Sequence, residues 1–385
     1  MNFDVAIIGG GLAGLALAAA LRRSSLSVAL IEGRAPVAST GWDARVYAIS
    51  PTNAKFLEQT GIWPHLDRQR MSPVRAMEIM GDAGGRLDFS AYASGVSELA
   101  WILESALMQA ELWETVKRQG NLTLLCPARP RSLAIDLDAA RVVLDDGRCI
   151  AAQLVVAADG AESWTRAAAG IEVSFSPYGQ LGVVANFAAD EDHRGTAFQW
   201  FREDGILAWL PLPGNRFSMV WSTAEQHGRA LLALDSAALC EQVAKAGNGR
   251  LGKLELVTSP AGFPLRLMRA PRMVASRLAL IGDAAHTIHP LSGHGINLGF
   301  QDAQTLANIL CAKPGHIDCG DLALLRRYAR ARKEEVLTLQ TVTDSLHRLF
   351  GAKSGALSSL RNTGLNLTNH LPVVKDALVR YALAS

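Results

Sequence analysis

The hydrophobic pattern is densest at the start of the chain. In "FDVAIIGGGLAGLALAAALRRSSLSVALIEGR" an unbroken apolar run meets a cluster of glycines, then an Ala/Leu-rich stretch, then a second apolar run. Unbroken apolarity suits a strand covered by helices on both faces. The reading is strand, tight turn, helix over 12–22 and strand over 27–32, which makes one βαβ unit. Helices are predicted near "PTNAKFLEQTGIWPHL" and near "SELAWILESALMQAELWETVKRQG". Short strands follow through 122–158, with "LVVAADG" as another buried strand. From about Phe175 to Pro264 the period changes. "LGVVANFAAD", "TAFQWFRED", "GILAWLPLP" and "RFSMVWST" are strand-like runs between turn residues, which places a mostly antiparallel substrate lobe there. "RLALIGDAA" returns to the buried-strand pattern, and 294–311 and 321–350 read as helices.

Composition narrows the class. A chain of 385 residues exceeds the size at which one simple core keeps growing, so two lobes are expected. Hydrophobic content of 49% with 19% charged residues suits a packed globular protein and argues against disorder. A net charge of +2 gives no global field pointing to nucleic acid. The charge is uneven: residues 321–385 carry 10 Lys/Arg against 5 Asp/Glu, so the tail is basic. The cysteines Cys126, Cys149, Cys240, Cys311 and Cys319 are scattered and form no C-x-x-C pair, which reads as reduced thiols in a cytoplasmic protein. The N-terminal "MNFD" lacks the basic start of a secretory signal. The uncharged run from Val5 to Leu21 is short of the ~20 residues a membrane span needs, and its four glycines favour a strand and helix.

Gly9-x-Gly11-x-x-Gly14 sits between strand and helix. Gly9 would permit the tight turn, Gly11 the approach of backbone to a pyrophosphate, and Gly14 the close packing of helix on strand. The helix N-terminus would offer free N–H groups to the phosphates. Glu32 ends the second strand, where a carboxylate can take a ribose hydroxyl. Strand, helix and acid in register point to a dinucleotide, although the loop alone does not separate FAD from NAD.

A second small-residue cluster lies more than 250 residues later, in "GDAAHTIHPLSGHGINLGFQDA". A flavin dinucleotide is long, and a grip on its ADP half leaves the ribityl chain and ring to be held elsewhere. Gly282 would allow close approach and Asp283 could bond a ribityl hydroxyl. Pro290 would turn the chain, so that Ser292, Gly293, His294 and Gly295 present backbone N–H groups to the flavin's pyrimidine edge. Asn297 is placed with them on the cofactor side. His286, His289 and His294 invite a metal reading, but Pro290 and the glycines make a loop with no further ligand, so packing or hydrogen bonding is expected and no metal.

These segments resemble the group A flavoprotein monooxygenases, and most closely the ubiquinone-biosynthesis hydroxylases of the UbiH/UbiF/VisC type. The resemblance covers nearly the whole chain. "DARVYAIS" matches the family's cofactor arginine at Arg45, "WILESALMQA" its glutamine at Gln109, and "AADGAESWTR" its Asp-Gly motif at Asp159, Gly160 and Arg166, a motif tied to FAD and NAD(P)H handling. "RNTGLNLTNHLPVVKDALVRYALA" is similar to the subfamily's C-terminal signature. The chain departs from the pattern at His294, where glutamine is usual, and at Ser105, where asparagine is common.

The resemblance implies an α/β fold: a Rossmann-like FAD-binding domain with an interleaved, mostly antiparallel β substrate domain and a helical C-terminus. The expected division is 1–75, 100–174 and 265–335 for FAD, 76–99 and 175–264 for substrate, and 336–385 for the helical region. It implies FAD as cofactor, NAD(P)H and O₂ as co-substrates, and hydroxylation of a polyprenylated phenol in ubiquinone biosynthesis through a flavin C4a-hydroperoxide. Pro290, Gly293, His294 and Gly295 are then the residues expected beside the reacting ring. Trp200, Trp209 and Trp221 could wall the substrate site, but core packing is the expectation for each. Three alternatives stay open: a same-fold oxidoreductase that inserts no oxygen, such as a prenyl-chain reductase; a hydroxylase of a small soluble phenol; and a flavoprotein scaffold. The basic tail is either a solvated helix face or a docking element for the inner membrane face or a biosynthetic complex.

Overall fold

The computed structural model describes residues 1–37, 41–288, 295–351, 355–371, 374–375, 378–379 and 383. Among them, the strands form sheets of eight, nine and three strands. The eight-stranded sheet is built on Asn2–Ile8, which runs parallel to Val28–Ile31 on one side and to Cys149–Ala157 on the other. Leu122–Leu125 extends the sheet in parallel beyond Val28–Ile31, and Leu278–Leu280 does so beyond Cys149–Ala157. Parallel strands all end on one edge, so the turns after Ile8, Ile31, Ala157 and Leu280 emerge together. Chain order reverses on either side of the first strand, and such a switch point is where open α/β sheets bind ligands.

The first helix, Leu12–Ala20, is rich in the strongest helix formers and buried almost all round, because it packs on the sheet and against helices Ser105–Lys117 and Gly295–Cys311. Helix Pro51–Thr60 starts where the Ser50 side chain accepts from the Asn53 backbone N–H, with proline at its first position, and stops at Gly61 in the left-handed region.

The nine-stranded sheet takes the long strands Ser174–Ala189, Thr196–Arg202, Gly205–Leu212, Arg216–Ala224 and Ala261–Arg269, antiparallel in sequence of pairing. Ala76–Met80 joins through a parallel pairing with Thr196–Arg202, and Arg86–Ser90 follows it at the edge. Side chains alternate along each strand. Along Gly205–Leu212, Leu207 and Trp209 enter a sealed core, whereas Ile206, Ala208 and Leu210 face a cavity. Trp200, Trp209 and Trp221 share that core with Phe187 and Phe217, under helices Glu225–Leu232 and Ser236–Ala246. Those two helices were not foreseen from the sequence.

The helix expected near 97–120 is corrected in the first part of that segment. Ala100–Glu104 is a strand that pairs with Val46–Ile49 and Ser72–Val74, and the helix begins only at Ser105. The aromatic and branched Trp101 and Ile102 suit a half-buried pleat, and long-range pairing overrode the local helical pattern. At the C-terminus, the long helix Leu322–Gly351 is followed by Gly355–Asn369.

Candidate functional site

The turns at the sheet edge surround one end of a cavity of about 860 Å³, in the upper part of the range usual for ligand sites. Its other end is the open face of the nine-stranded sheet.

Gly9 and Gly14 are fixed by crowding. Gly9 has φ +110°, and a Cβ there would lie 2.4 Å from the Ala158 carbonyl oxygen. A Cβ on Gly14 would lie 2.0 Å from the Gly9 carbonyl oxygen. Gly11 is the opposite case: it is the cap residue of the first helix, lines the cavity, and has open space where a side chain would be. The unpaired N–H groups of the helix's first turn therefore stand at an open approach. Glu32 braces this turn from behind. Its carboxylate accepts from the Gly10 N–H at 2.5 Å and from the Arg34 N–H at 2.9 Å, and it is not on the cavity wall. Gln109 does line the cavity, and its Nε2 donates to the Gly10 carbonyl at 2.9 Å.

Gly160 takes φ +82° on the wall, again with free space before it. Asp159 turns away from the cavity: its carboxylate accepts from the Ser163 hydroxyl and from the Thr165 N–H and hydroxyl, both at 2.9 Å. Arg166 is buried and donates to the Ala161 and Ala284 carbonyls, which ties this turn to the one after Leu280.

In that later turn, Gly282 adopts φ +57° and packs against Ala13 and Gly299, so the two glycine turns touch. Asp283 projects into the cavity. Its side chain is exposed to the open cavity, yet the protein packed around it raises its pKa, while nearby His286 and Arg45 oppose the rise. Arg45 is exposed on the cavity wall, with no side-chain partner among the described residues. Its backbone is held by Asp43, whose Oδ1 accepts the Arg45 N–H at 2.9 Å. Beside it the Tyr47 hydroxyl, bonded to Ser105, is pushed up by burial, with Arg45 opposing and Asp283 reinforcing. Gly295 opens its helix on the cavity. Asn297 lines the cavity too, but its carboxamide also staples elements together: Oδ1 accepts from the Ser50 N–H and Asn53 Nδ2, and Nδ2 donates to the Ala48 carbonyl. Pro290, Gly293 and His294, together with His289 and Ser292, lie outside the described residues.

The residues that hold the second turn were missed. Asp302 is fully buried on helix Gly295–Cys311. Its Oδ2 accepts from the Gly282 N–H at 2.9 Å and from His286 Nε2 at 2.7 Å, and its Oδ1 accepts from Arg332 Nε at 2.7 Å. Burial alone would raise the Asp302 pKa, but His286 and Arg332 outweigh it and hold the carboxyl below its ordinary value. His286 is thus a hydrogen-bonding residue in this network. The available signal was Asp302 itself, the lone acid in an otherwise apolar and polar-neutral helix.

Residues 2–341 match the family described as FAD binding domain. The chain is 34% identical to ubiquinone hydroxylase UbiL of Rhodospirillum rubrum, over 99% of this chain and 90% of that protein. It is 32% identical to the 3-demethoxyubiquinol 3-hydroxylase of Escherichia coli, over 99% and 98%. This chain belongs to the FAD-dependent ubiquinone hydroxylases. The fold agrees with that of p-nitrophenol 4-monooxygenase PnpA from Pseudomonas putida, with TM-score 0.81 at 18% identity, covering 100% of this chain and 99% of that one.

The cavity fits the cofactor of this family. An open helix N-terminus, glycines with free space at 11, 160 and 295, and a carboxylate at Asp283 line one continuous volume, and a bulky neighbour blocks none of those three glycines.

Proposed function

We propose that this hydroxylase adds one oxygen atom from O₂ to the ring of a polyprenylated phenol, with NAD(P)H as electron donor. The continuity of the cavity carries the reading: it leads from the glycine turns straight to an apolar sheet wall, where a ring and a greasy chain can lie. Bound FAD would supply the redox chemistry and the activation of O₂. Gly9, Gly11 and Gly14 would admit its pyrophosphate, Asp283 would bond its ribityl chain, and Arg45, Gln109 and Gly295 would border it. Gly160, Gly282, Glu32, Asp159 and Asn297 shape or brace those contacts. Pro290, Gly293 and His294 keep their proposed place beside the reacting ring. The 1–75, 100–174 and 265–335 segments serve the cofactor and 76–99 and 175–264 the substrate.

The protein's own contribution is orientation and dryness. Val184, Ala208, Leu210 and Val220 present hydrocarbon to the reacting region and exclude water. Leu378, Val379 and Leu383 of the C-terminal segment close part of the cavity, and Thr52 holds the segment through the Leu383 carbonyl at 2.8 Å. Outside, Leu367, Leu371 and Val374 are exposed near Lys375, which favours delivery of substrate from an anionic lipid surface. Among the described residues no helix is long and apolar enough to cross a membrane, so the contact would be peripheral.

The test uses FAD-loaded protein, NAD(P)H, isotopically labelled O₂ and a prenylated phenol, presented either in anionic vesicles or in neutral detergent. The expected product carries one labelled oxygen on the ring and forms faster from vesicles. Reduced prenyl double bonds without label would favour the reductase reading. Equal rates from both presentations would remove the lipid-surface element.

A further inference from the structure

On the three neighbouring strands Thr196–Arg202, Gly205–Leu212 and Arg216–Ala224 the cavity-facing side is hydrocarbon except at Gln199 and Ser222, whereas the polar Arg266 and Thr287, towards the other edge of the sheet, are bonded to Glu162 and to the Arg266 carbonyl. Gln199 is 5% exposed and Ser222 is 3% exposed. Neither side chain has a hydrogen-bond partner among the described residues, yet the polar atoms of both stay open to the cavity, unlike the sealed Nε1 atoms of Trp200, Trp209 and Trp221 behind the sheet. A buried carboxamide with no partner is a cost that leucine, of nearly the same size, would avoid. Such a group on an apolar wall makes sense when a ligand completes its hydrogen bonds.

We infer that Gln199 and Ser222 are specificity-determining residues that bind oxygen substituents of the aromatic substrate. This rests on the hydroxylase reading above and adds which atoms read the ring. Both side chains can donate and accept, so each can take a hydroxyl, a carbonyl or an ether oxygen. They also address different oxygens. Gln199 lies level with Ala208 and Val220, whereas Ser222 is level with Ile206 on the intervening strand. Two strand spacings across and one two-residue step along put them about 12 Å apart on the wall. The ring they select therefore carries more than one oxygen. The prenyl chain contributes affinity against the hydrocarbon, but little discrimination, since an apolar wall tells similar apolar groups apart only weakly.

Gln199→Leu and Ser222→Ala in the FAD-loaded protein test this. Binding of a prenylated phenol, and of the same ring lacking the hydroxyl, is followed by the change in flavin absorbance, with thermal melting measured alongside. For Gln199→Leu we expect phenol affinity to fall about ten- to a hundredfold, while the deoxygenated analogue binds as well as before or better. The melting temperature should hold or rise, because no protein partner is lost. Ser222→Ala should weaken phenol binding several-fold without weakening the analogue. Retention of wild-type discrimination in both variants would overturn the inference, as would equal weakening of both ligands with a lowered melting temperature. If the wild-type protein itself shows no preference for the phenol, the hydroxylase reading fails along with it, and that result is distinct from either variant outcome.

Discussion

After Ile8 the chain turns because glycines leave room that no other residue could. A side chain at Gly9 or Gly14 would run into backbone carbonyl oxygens, and the helix that follows is hydrocarbon on nearly every side. After Leu280 the chain turns beside the same cavity, yet a buried carboxylate holds it there. Asp302 gathers the Gly282 N–H, the His286 ring and the Arg332 guanidinium, and Arg332 in turn reaches Gln301 and Glu335. Both turns present backbone to one cavity. The first is shaped chiefly by exclusion of atoms, with the Glu32 carboxylate bracing it from behind. The second is shaped by charge, so it answers to protonation and to Arg332 on the helix Leu322–Gly351. A steric turn is rigid, whereas a charge-held turn can be tuned.

The comparison is broken most severely at Asp302. Asp302→Ala takes from Arg332 its fully buried carboxylate, leaving the part-exposed Glu335, and takes from His286 and the Gly282 N–H their shared acceptor; losing one partner of a buried ion pair costs about 3–5 kcal/mol. Thermal melting should show that loss, and the flavin should dissociate more readily as Gly282 is released. The same carboxylate sets a pH limit. Its folded pKa lies below its ordinary value of 3.8, so its contribution is complete above that value and is lost as the pH falls through the lower, folded one. Stability measured from pH 6 downward should therefore stay level through pH 5 as far as Asp302 is concerned and decline below about 4. An Asp302→Ala protein that melts like the wild type would show that the second turn does not depend on its charge.

Gly14→Ala tests the steric side and should have the next largest effect. Alanine is the better helix former by about 1 kcal/mol, which alone would stabilise the helix. The new Cβ, however, would lie 2.0 Å from the Gly9 carbonyl oxygen, and backbone cannot rotate away as a side-chain tip can. Overpacking of this kind costs about 1–3 kcal/mol and should win, with flavin retention falling at every pH tested. Retention that depended on pH would blur the distinction between the two turns.

The first turn was legible because its signal is local. Three glycines, an apolar strand and an Ala/Leu helix are contiguous, and crowding by backbone is the one demand that glycine alone meets. The strands of the substrate sheet were legible for the same reason, as short apolar runs between turn residues, whereas the facing of Leu207 and Trp209 to the core and of Ile206 and Ala208 to the cavity comes from the structure. Strand Ala100–Glu104 was misread as helix because its partners lie at 46–49 and 72–74, and the choice between helix and pleat was made by that pairing. Asp302 and Arg332 escaped because a charge is read as exposed until its partner is known, and the partner sits on another helix. Beside the cofactor role that resemblance implies for Asp159 stands a local one, since its carboxylate accepts from Ser163 and Thr165 as a turn residue's would. Gln199 and Ser222 look like ordinary strand residues in the sequence, and only the cavity in front of them makes their lack of partners visible.

The smallest expected effect sharpens the comparison most. Gln109 is the side chain from outside the first βαβ unit that reaches into its turn, through a 2.9 Å bond from Nε2 to the Gly10 carbonyl. If exclusion of atoms shapes this turn, Gln109→Ala removes a support the turn does not need. Gln109 lines the cavity, so its removal lets water reach the Gly10 carbonyl, and the loss should be the net worth of one neutral hydrogen bond, about 0.5–1.5 kcal/mol. Melting temperature and flavin retention, measured beside Gly14→Ala, decide the matter. A Gln109→Ala protein that loses flavin as fully as Gly14→Ala would mean that hydrogen bonding holds the first turn as it does the second, and the contrast between the two would be one of sequence signal and not of physics.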